Sequence, residues 1–125
     1  MIRKVLLVDD EADIRKIAAL TLKHVGGWEV VQATSGREAL EVAARELPDV
    51  ILLDVMMPGM DGPSTLAALR ANPTTAAIPV VFVTAKIQAT ERERIALLGA
   101  AGIISKPFDA MRLSDEVRRI IEGGA

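Results

Sequence analysis

Short apolar runs alternate with segments of helical spacing along the whole chain. Runs that are apolar at consecutive positions are typical of strands buried on both faces of a parallel sheet. Strongly apolar runs occupy Val5–Val8, Val50–Leu53, Val80–Val83 and Ile103–Ser105, and a weaker one lies near Glu29 to Ala33. Because parallel strands need crossover connections, this alternation predicts an α/β fold with a doubly wound, five-stranded parallel sheet and helices on both faces.

The segments between the runs carry signals for the start and the end of helices. Ser35 with Glu38 forms a capping box, in which each side chain accepts a free backbone N–H, and Thr90 with Glu93 repeats it. Pro63 suits the first turn of a helix. Five helices are therefore predicted, at about Ile14 to Val25, Ser35 to Leu47, Pro63 to Asn72, Ala89 to Leu98 and Asp109 to Ile121.

Length and composition limit the kind of protein. A chain of 125 residues is near the usual size of one domain, so residues 1–125 are expected to form a single unit. The formal charge of -2 and the absence of a basic stretch with aromatic residues argue against direct nucleic acid binding. The chain has no cysteine and no run long enough to span a membrane. We expect a soluble, cytoplasmic protein without membrane attachment.

Polar side chains follow four of the apolar runs, at the point where each predicted strand ends. Asp9 and Asp10 follow the first run, Asp54 the second, Thr84 the third, and Lys106 the last. The carboxyl ends of parallel strands line one crevice in open α/β sheets. We therefore expect these residues to converge on one site, with a composition that suits a divalent cation and a phosphoryl group.

Each of these residues also has an ordinary interpretation. Asp9, Asp10 and Glu11 precede a helix, where acidic residues cap free N–H groups, and Asp54 precedes a turn. Alternatively, Asp9, Asp10 and Asp54 are hard oxygen ligands for Mg²⁺, and Asp54 is a nucleophile that forms an aspartyl phosphate. A cis Lys106–Pro107 bond would aim the ammonium at the crevice. The ordinary interpretations explain each residue alone but do not explain the set.

The ordered set of motifs resembles the receiver domain of bacterial two-component response regulators. The resemblance rests on Asp9-Asp10, Asp54 followed by Met57-Pro58-Gly59, Val83-Thr84-Ala85 and Lys106-Pro107-Phe108, and it extends from Lys4 to about Ile121. It implies a flavodoxin-like fold with the strand order 2-1-3-4-5, which is the order found in this family.

The resemblance also implies roles for individual residues. Asp54 matches the phosphoacceptor, and Thr84 and Lys106 match the residues that contact the bound phosphoryl group. Asp10 and Asp54 match ligands of Mg²⁺, with the backbone carbonyl of Met56 as a further ligand and Asp9 assisting through water. These assignments are expectations carried over by position.

The implied function is that of a signalling switch in a two-component phosphorelay. Asp54 would accept a phosphoryl group from a sensor histidine kinase or a phosphotransfer protein, and the changed surface would bind a downstream effector protein or domain. Family members use an aromatic residue on the fifth strand as part of the relay, but this chain has Ile103 there. The chain stops soon after the fifth predicted helix, which suits a stand-alone regulator or a receiver excised from a longer one.

Two other classes of function remain open at this point. A phosphatase resembling the haloacid-dehalogenase family would need a second acid two residues after the nucleophile, where this chain has Met56. An interaction module that never receives phosphate would retain the same fold, so the fold alone does not separate the two. Magnesium binding and the absence of phosphate-ester turnover are the observations that distinguish these classes.

Overall fold

The structure, a computed structural model, describes residues 1–85, 93, 95 and 97–123. Its strands form one sheet in which every neighbouring pair is parallel. The strands are β1 (Lys4–Val8), β2 (Glu29–Ala33), β3 (Val50–Asp54), β4 (Val80–Thr84) and β5 (Gly102–Ser105). Their order is β2-β1-β3-β4-β5, so the predicted sheet and the order implied by the resemblance are both confirmed.

Four of the five predicted helices lie in the described part of the chain. They are α1 (Ala12–His24), α2 (Gly36–Glu46), α3 (Gly62–Ala71) and α4 (Leu113–Ile121), the last preceded by a 3-10 turn at Ala110–Arg112. The helix predicted at Ala89 to Leu98, with its capping box at Thr90, falls largely outside the described residues. Among the described residues, no helix is both long enough and apolar enough to cross a lipid bilayer.

Side-chain caps start two of the helices close to the predicted positions. Ser35 Oγ accepts the N–H of Glu38 at 3.1 Å, and Asp61 Oδ1 accepts that of Ser64 at 2.8 Å. Such a cap stabilises a helix by about 1 kcal/mol. The capping box at Ser35 differs in one respect, because the Glu38 carboxylate accepts the N–H of Thr34 rather than that of Ser35.

The sheet is covered on both faces by apolar side chains. Successive side chains of each strand point to opposite faces of the sheet, so the buried residues form two clusters. One cluster packs with α2 and α3, and the other packs with α1 and α4. Every residue of β3 and β4 is buried. This double burial explains why the strands have continuous apolar sequences, and it leaves the carboxyl edge of the sheet as the place where polar side chains gather.

Gly62, the first residue of α3, packs directly against the chain at the end of β3. A Cβ atom there would lie 2.6 Å from the backbone oxygen of Asp54, 2.8 Å from Cα of Val55 and 2.9 Å from the Phe82 ring. We expect Gly62→Ala to lower the free energy of unfolding by roughly 1–3 kcal/mol, because two of these three atoms belong to the backbone. Urea denaturation measures the loss.

Ser64→Ala is the matched control, because Ser64 is an exposed residue of the same helix turn. It should change the free energy of unfolding by no more than about 0.5 kcal/mol. Equal effects of the two substitutions would contradict the close approach of α3 to β3.

Candidate functional site

Polar residues from four strands meet at one edge of the sheet. Asp9 follows β1, Asp54 and Thr84 are the last residues of β3 and β4, and Lys106 follows β5. The register pairs Asp54 with Val83 and Thr84 with Ser105, so these strands end almost level. Asp9, Asp54 and Thr84 are buried, although each is polar. The predicted convergence at the carboxyl edge is therefore present for these four residues.

The Lys106 ammonium lies among three carboxylates. Its Nζ donates a hydrogen bond to Asp9 Oδ2 at 2.9 Å and lies 3.4 Å from Asp54 Oδ2. A longer ion pair of 3.9 Å reaches Glu11 Oε1. The side chain of Lys106 is only 12% exposed, so these contacts are made largely out of water. The ammonium bridges β1, β3 and β5 across the crevice.

Backbone contacts hold the two buried carboxylates in position. Asp9 Oδ1 accepts the N–H of Glu11 at 2.8 Å, and Asp54 Oδ1 accepts the N–H of Met56 at 3.3 Å. In addition, the Arg15 guanidinium donates to the backbone oxygen of Asp9 at 2.8 Å. Each carboxylate therefore has one oxygen bound to its own loop and the other directed at Lys106.

The acidic group that could hold a metal consists of Asp9, Glu11 and Asp54. One oxygen from each of these carboxylates lies within 4.8 Å of the others. Asp10 is exposed and does not belong to this group of described residues. Glu11 was not among the predicted ligands, because the direction of a side chain at the start of α1 cannot be deduced from the order of three consecutive acids.

The donor set fits Mg²⁺ by its chemistry. Mg²⁺ favours carboxylate oxygens and is usually held by one or two of them together with water and phosphate oxygens. Three carboxylates so close together repel one another, and the single ammonium of Lys106 offsets this only in part. A divalent cation in the group would remove the remaining repulsion. The pocket is thus able to bind a metal ion of this kind.

The pKa of Asp54 is raised to about 6, and burial is the largest cause. The nearby charge of Asp9 contributes to this rise, whereas the charge of Lys106 and the hydrogen bond from Met56 oppose it. Burial disfavours the charged form of Lys106, but the hydrogen bond to Asp9 and the charges of Asp54 and Asp9 outweigh this and raise its pKa. At neutral pH, Lys106 therefore stays positively charged beside the Asp54 carboxyl group, whose pKa is raised.

This pKa predicts how the stability of the metal-free protein depends on pH. Between its ordinary value of 3.8 and about 6, Asp54 holds more of its proton in the folded than in the unfolded chain. Its contribution to the free energy of unfolding therefore falls as pH rises through this interval, by at most about 3 kcal/mol.

Denaturation in EDTA at several pH values measures this contribution as a difference between the wild type and Asp54→Asn. The variant should be the more stable of the two at pH 7, and the difference should shrink as the pH falls and vanish below the ordinary pKa of 3.8. A constant difference across the interval would contradict the raised pKa.

The structure also shows where the other predicted site residues and Ile103 lie. Thr84 is 3% exposed, and its backbone oxygen accepts the Lys106 N–H at 2.6 Å. Met56 lies beside Asp54 with its side chain 74% exposed. The Lys106–Pro107 peptide bond is cis, as predicted. Ile103 is half-buried on β5 and packs against the cluster that contains Phe82.

Comparison with known proteins gives one consistent family. The sequence model described as the response regulator receiver domain matches residues 5–118. Response regulator PleD of Caulobacter vibrioides is 44% identical over 122 residues, which are 96% of this chain but 26% of PleD. Protein PilH of Pseudomonas aeruginosa is 34% identical over 121 residues, covering 96% of this chain and 98% of PilH. The chain thus spans about a quarter of the one relative and nearly all of the other.

Solved structures agree with the sequence comparison. The chemotaxis protein CheY4 of Vibrio cholerae superposes with a TM-score of 0.89 at 34% identity, covering 96% of this chain and 99% of that one. A putative response regulator from Chloroflexus aurantiacus gives a TM-score of 0.87 at 31% identity, covering 98% of this chain and 99% of the other. The similarity therefore extends over nearly the whole chain.

Proposed function

The chain belongs to the response regulator receiver domain family, and on that premise we propose that it is a phosphoacceptor switch of two-component signalling. Asp54 is the proposed phosphoacceptor, and residues 1–125 act as one receiver domain. The observation that carries the proposal is the position of the Lys106 ammonium, 2.9 Å from Asp9 and 3.4 Å from Asp54, in a buried acidic crevice. A simple strand end needs neither the lysine nor the third carboxylate.

The proposed reaction forms one bond to phosphorus and breaks another. An oxygen of the Asp54 carboxylate attacks the phosphorus of a phosphohistidine on a kinase or a phosphotransfer protein. The phosphorus–nitrogen bond breaks, and the imidazole nitrogen leaves with the electron pair. Such transfers depend mainly on alignment and on neutralising the charge of the phosphoryl oxygens. The crevice contributes both.

Each residue of the crevice has a part in that proposal. The N–H of Met56 holds Asp54 Oδ1, which leaves Oδ2 free to face the incoming phosphorus once Lys106 shifts toward the phosphoryl oxygens. The Thr84 hydroxyl is proposed to donate to another phosphoryl oxygen. The cation is proposed to be Mg²⁺, held by Asp54 and Asp10, the backbone carbonyl of Met56 and, through water, Asp9. Asp10 is exposed and lies outside the group of Asp9, Glu11 and Asp54, so this proposal requires its side chain to turn toward Asp54 when the cation binds. When bound, it supplies further positive charge at the phosphoryl oxygens.

The modified residue then changes what the protein binds. A phosphoryl group on Asp54 adds negative charge and strong acceptor oxygens, for which Lys106 and Thr84 are the nearest proposed partners. Ile103 cannot rotate as an aromatic ring does, so we propose that the change passes through the residues that follow Thr84. A sensor histidine kinase or phosphotransfer protein and a downstream effector are the proposed partners, with the transfer taking place in the cytoplasm.

Removal of divalent cations provides the experiment that tests the proposed function. Incubation with acetyl phosphate and Mg²⁺ should add a single phosphoryl group per chain, detected by mass spectrometry of the intact protein. EDTA should suppress this modification, because three carboxylates and a phosphate dianion repel one another without a cation. Restored Mg²⁺ should restore it.

Two results would contradict the proposal. Modification at the same rate in EDTA would exclude a role for the metal. Release of phosphate in large molar excess over the protein, from an ordinary phosphate monoester, would instead favour the phosphatase alternative. The exposed thioether of Met56 two residues after Asp54 argues against that turnover, because it cannot act as the second acid.

A further inference from the structure

A groove outside the crevice runs along α1 beside the edge strand β2. Its volume is about 420 Å³. The residues of α1 that line it recur every three or four positions from Ala12 to Lys23, so the groove extends roughly 16 Å along the helix. Val30 and Gln32 of β2 form the opposite wall. The proposed phosphotransfer uses none of these surfaces.

The floor of the groove is apolar and open to solvent. Ala19, Leu20 and Val30 contribute to it, and Leu20 is 53% exposed. An exposed leucine alone needs no explanation, but one that lines a continuous groove offers contact area for a partner.

The rim of the groove is positively charged, although the whole chain is not. Arg15, Lys16 and Lys23 line it, and its described lining residues include no acid, whereas the formal charge of the chain is -2. Arg15 is held by hydrogen bonds to Gln32 and to the backbone of Asp9. In the described part of the chain, Lys16 and Lys23 form no ion pair with a carboxylate. Two ammonium groups are therefore available to a ligand.

We propose that the α1–β2 groove is a docking surface for an acidic amphipathic segment of a partner protein. Lys16 and Lys23 pair with carboxylates of that segment, and its apolar side chains pack on Leu20, Ala19 and Val30. Charge complementarity selects an acidic partner, and the apolar floor selects a peptide over a nucleic acid, for which the groove offers no aromatic ring for base stacking. The proposal is independent of phosphoryl transfer at Asp54.

A titration with a designed peptide tests the docking surface. The probe is a fluorescently labelled helical peptide of glutamate and leucine with its leucines on one face, and its counterpart replaces each glutamate with lysine. Fluorescence anisotropy should show saturable binding of the acidic peptide alone. The double variant Lys16→Glu with Lys23→Glu should weaken binding by about tenfold or more, because two attractions become repulsions.

Two further variants separate a specific groove from general charge attraction. Leu20→Ser should weaken binding several-fold without changing any charge. Arg37→Glu with Arg119→Glu, exposed residues on α2 and α4, has the same net charge as the double lysine variant and should bind as the wild type does. Circular dichroism checks that each variant is folded, and Lys16→Gln with Lys23→Gln replaces the charge reversal if that variant is not.

The peptide-binding experiment can fail or succeed independently of the phosphorylation experiment. Asp54→Asn should bind the acidic peptide as the wild type does, so failure of phosphorylation would leave this result intact. Absence of saturable binding, equal binding of the lysine peptide, or no effect of the lysine and Leu20 substitutions would overturn the proposal. Tighter binding of a mixed-sequence oligonucleotide that is lost in the same lysine variant would also overturn it, in favour of a nucleic acid surface.

Discussion

Asp54→Asn is expected to abolish phosphorylation of the protein by acetyl phosphate in the presence of Mg²⁺. The amide has nearly the shape of the carboxylate but lacks the anionic oxygen that attacks phosphorus. Asp54 is 4% exposed and lies among Asp9, Lys106 and the Met56 N–H, so a neutral replacement of the same size should preserve the fold. Mass spectrometry of the intact protein over time measures the incorporation.

Asp115→Asn is the matched control for this substitution. Asp115 lies on the exposed side of α4, where it pairs with Arg118 at 3.7 Å. Its replacement removes the same charge from the chain without touching the crevice, and phosphorylation should proceed as in the wild type. Incorporation into Asp54→Asn at the wild-type rate would mean that another residue accepts the phosphoryl group.

Lys106→Met should slow phosphorylation by roughly 10²–10³-fold at saturating Mg²⁺ and phosphodonor. The reason is the loss of a preorganised cation at the place where negative charge gathers in the transition state. In enzymes, the loss of one such stabilising group has an effect of that size. Methionine has a similar length and fills the same space without the charge. The initial rate of phosphoryl incorporation measures the effect.

The same substitution should also destabilise the metal-free protein at pH 7. Removal of the ammonium leaves the buried carboxylates of Asp9 and Asp54 without their shared counter-charge, which costs up to about 3–5 kcal/mol. The double variant Lys106→Met with Asp54→Asn should recover much of this loss, because only one buried carboxylate then remains. A double-mutant cycle from urea denaturation in EDTA gives the coupling.

Lys4→Met is the control for Lys106→Met. Lys4 begins β1 and pairs with Glu46 at 3.0 Å, at the end of the strand opposite to Asp9. Its loss should leave the phosphorylation rate unchanged. A rate for Lys106→Met close to that of Lys4→Met would remove the ammonium from the proposed chemistry.

Much of the fold could be predicted from the sequence, because strands that are buried on both faces of a sheet have continuous apolar sequences. The apolar runs ending at Val8, Leu53 and Val83 matched β1, β3 and β4 to within one residue. Proline and capping residues located the starts of α2 and α3. The strand order was not a consequence of these patterns and came only from the family resemblance.

Part of the site could also be predicted from the sequence. Residues at strand ends must meet at one edge of a parallel sheet, which brings Asp9, Asp54 and Lys106 together. The backbone turns sharply between β1 and α1, so the side chains of consecutive residues there point in very different directions. Which of the three consecutive acids faces the crevice depends on this turn. For that reason the contribution of Glu11 and the contact between Arg15 and Asp9 became visible only in the structure.

Mapping of the phosphoryl group to a single residue tests the central claim most directly. The protein is incubated with acetyl phosphate and Mg²⁺, the acyl phosphate is reduced with borohydride, and the digested peptides are sequenced by tandem mass spectrometry. The account predicts one reduced aspartate, at Asp54, and none when Mg²⁺ is removed. Modification of another residue with Asp54 unmodified, or no modification under these conditions, would contradict it.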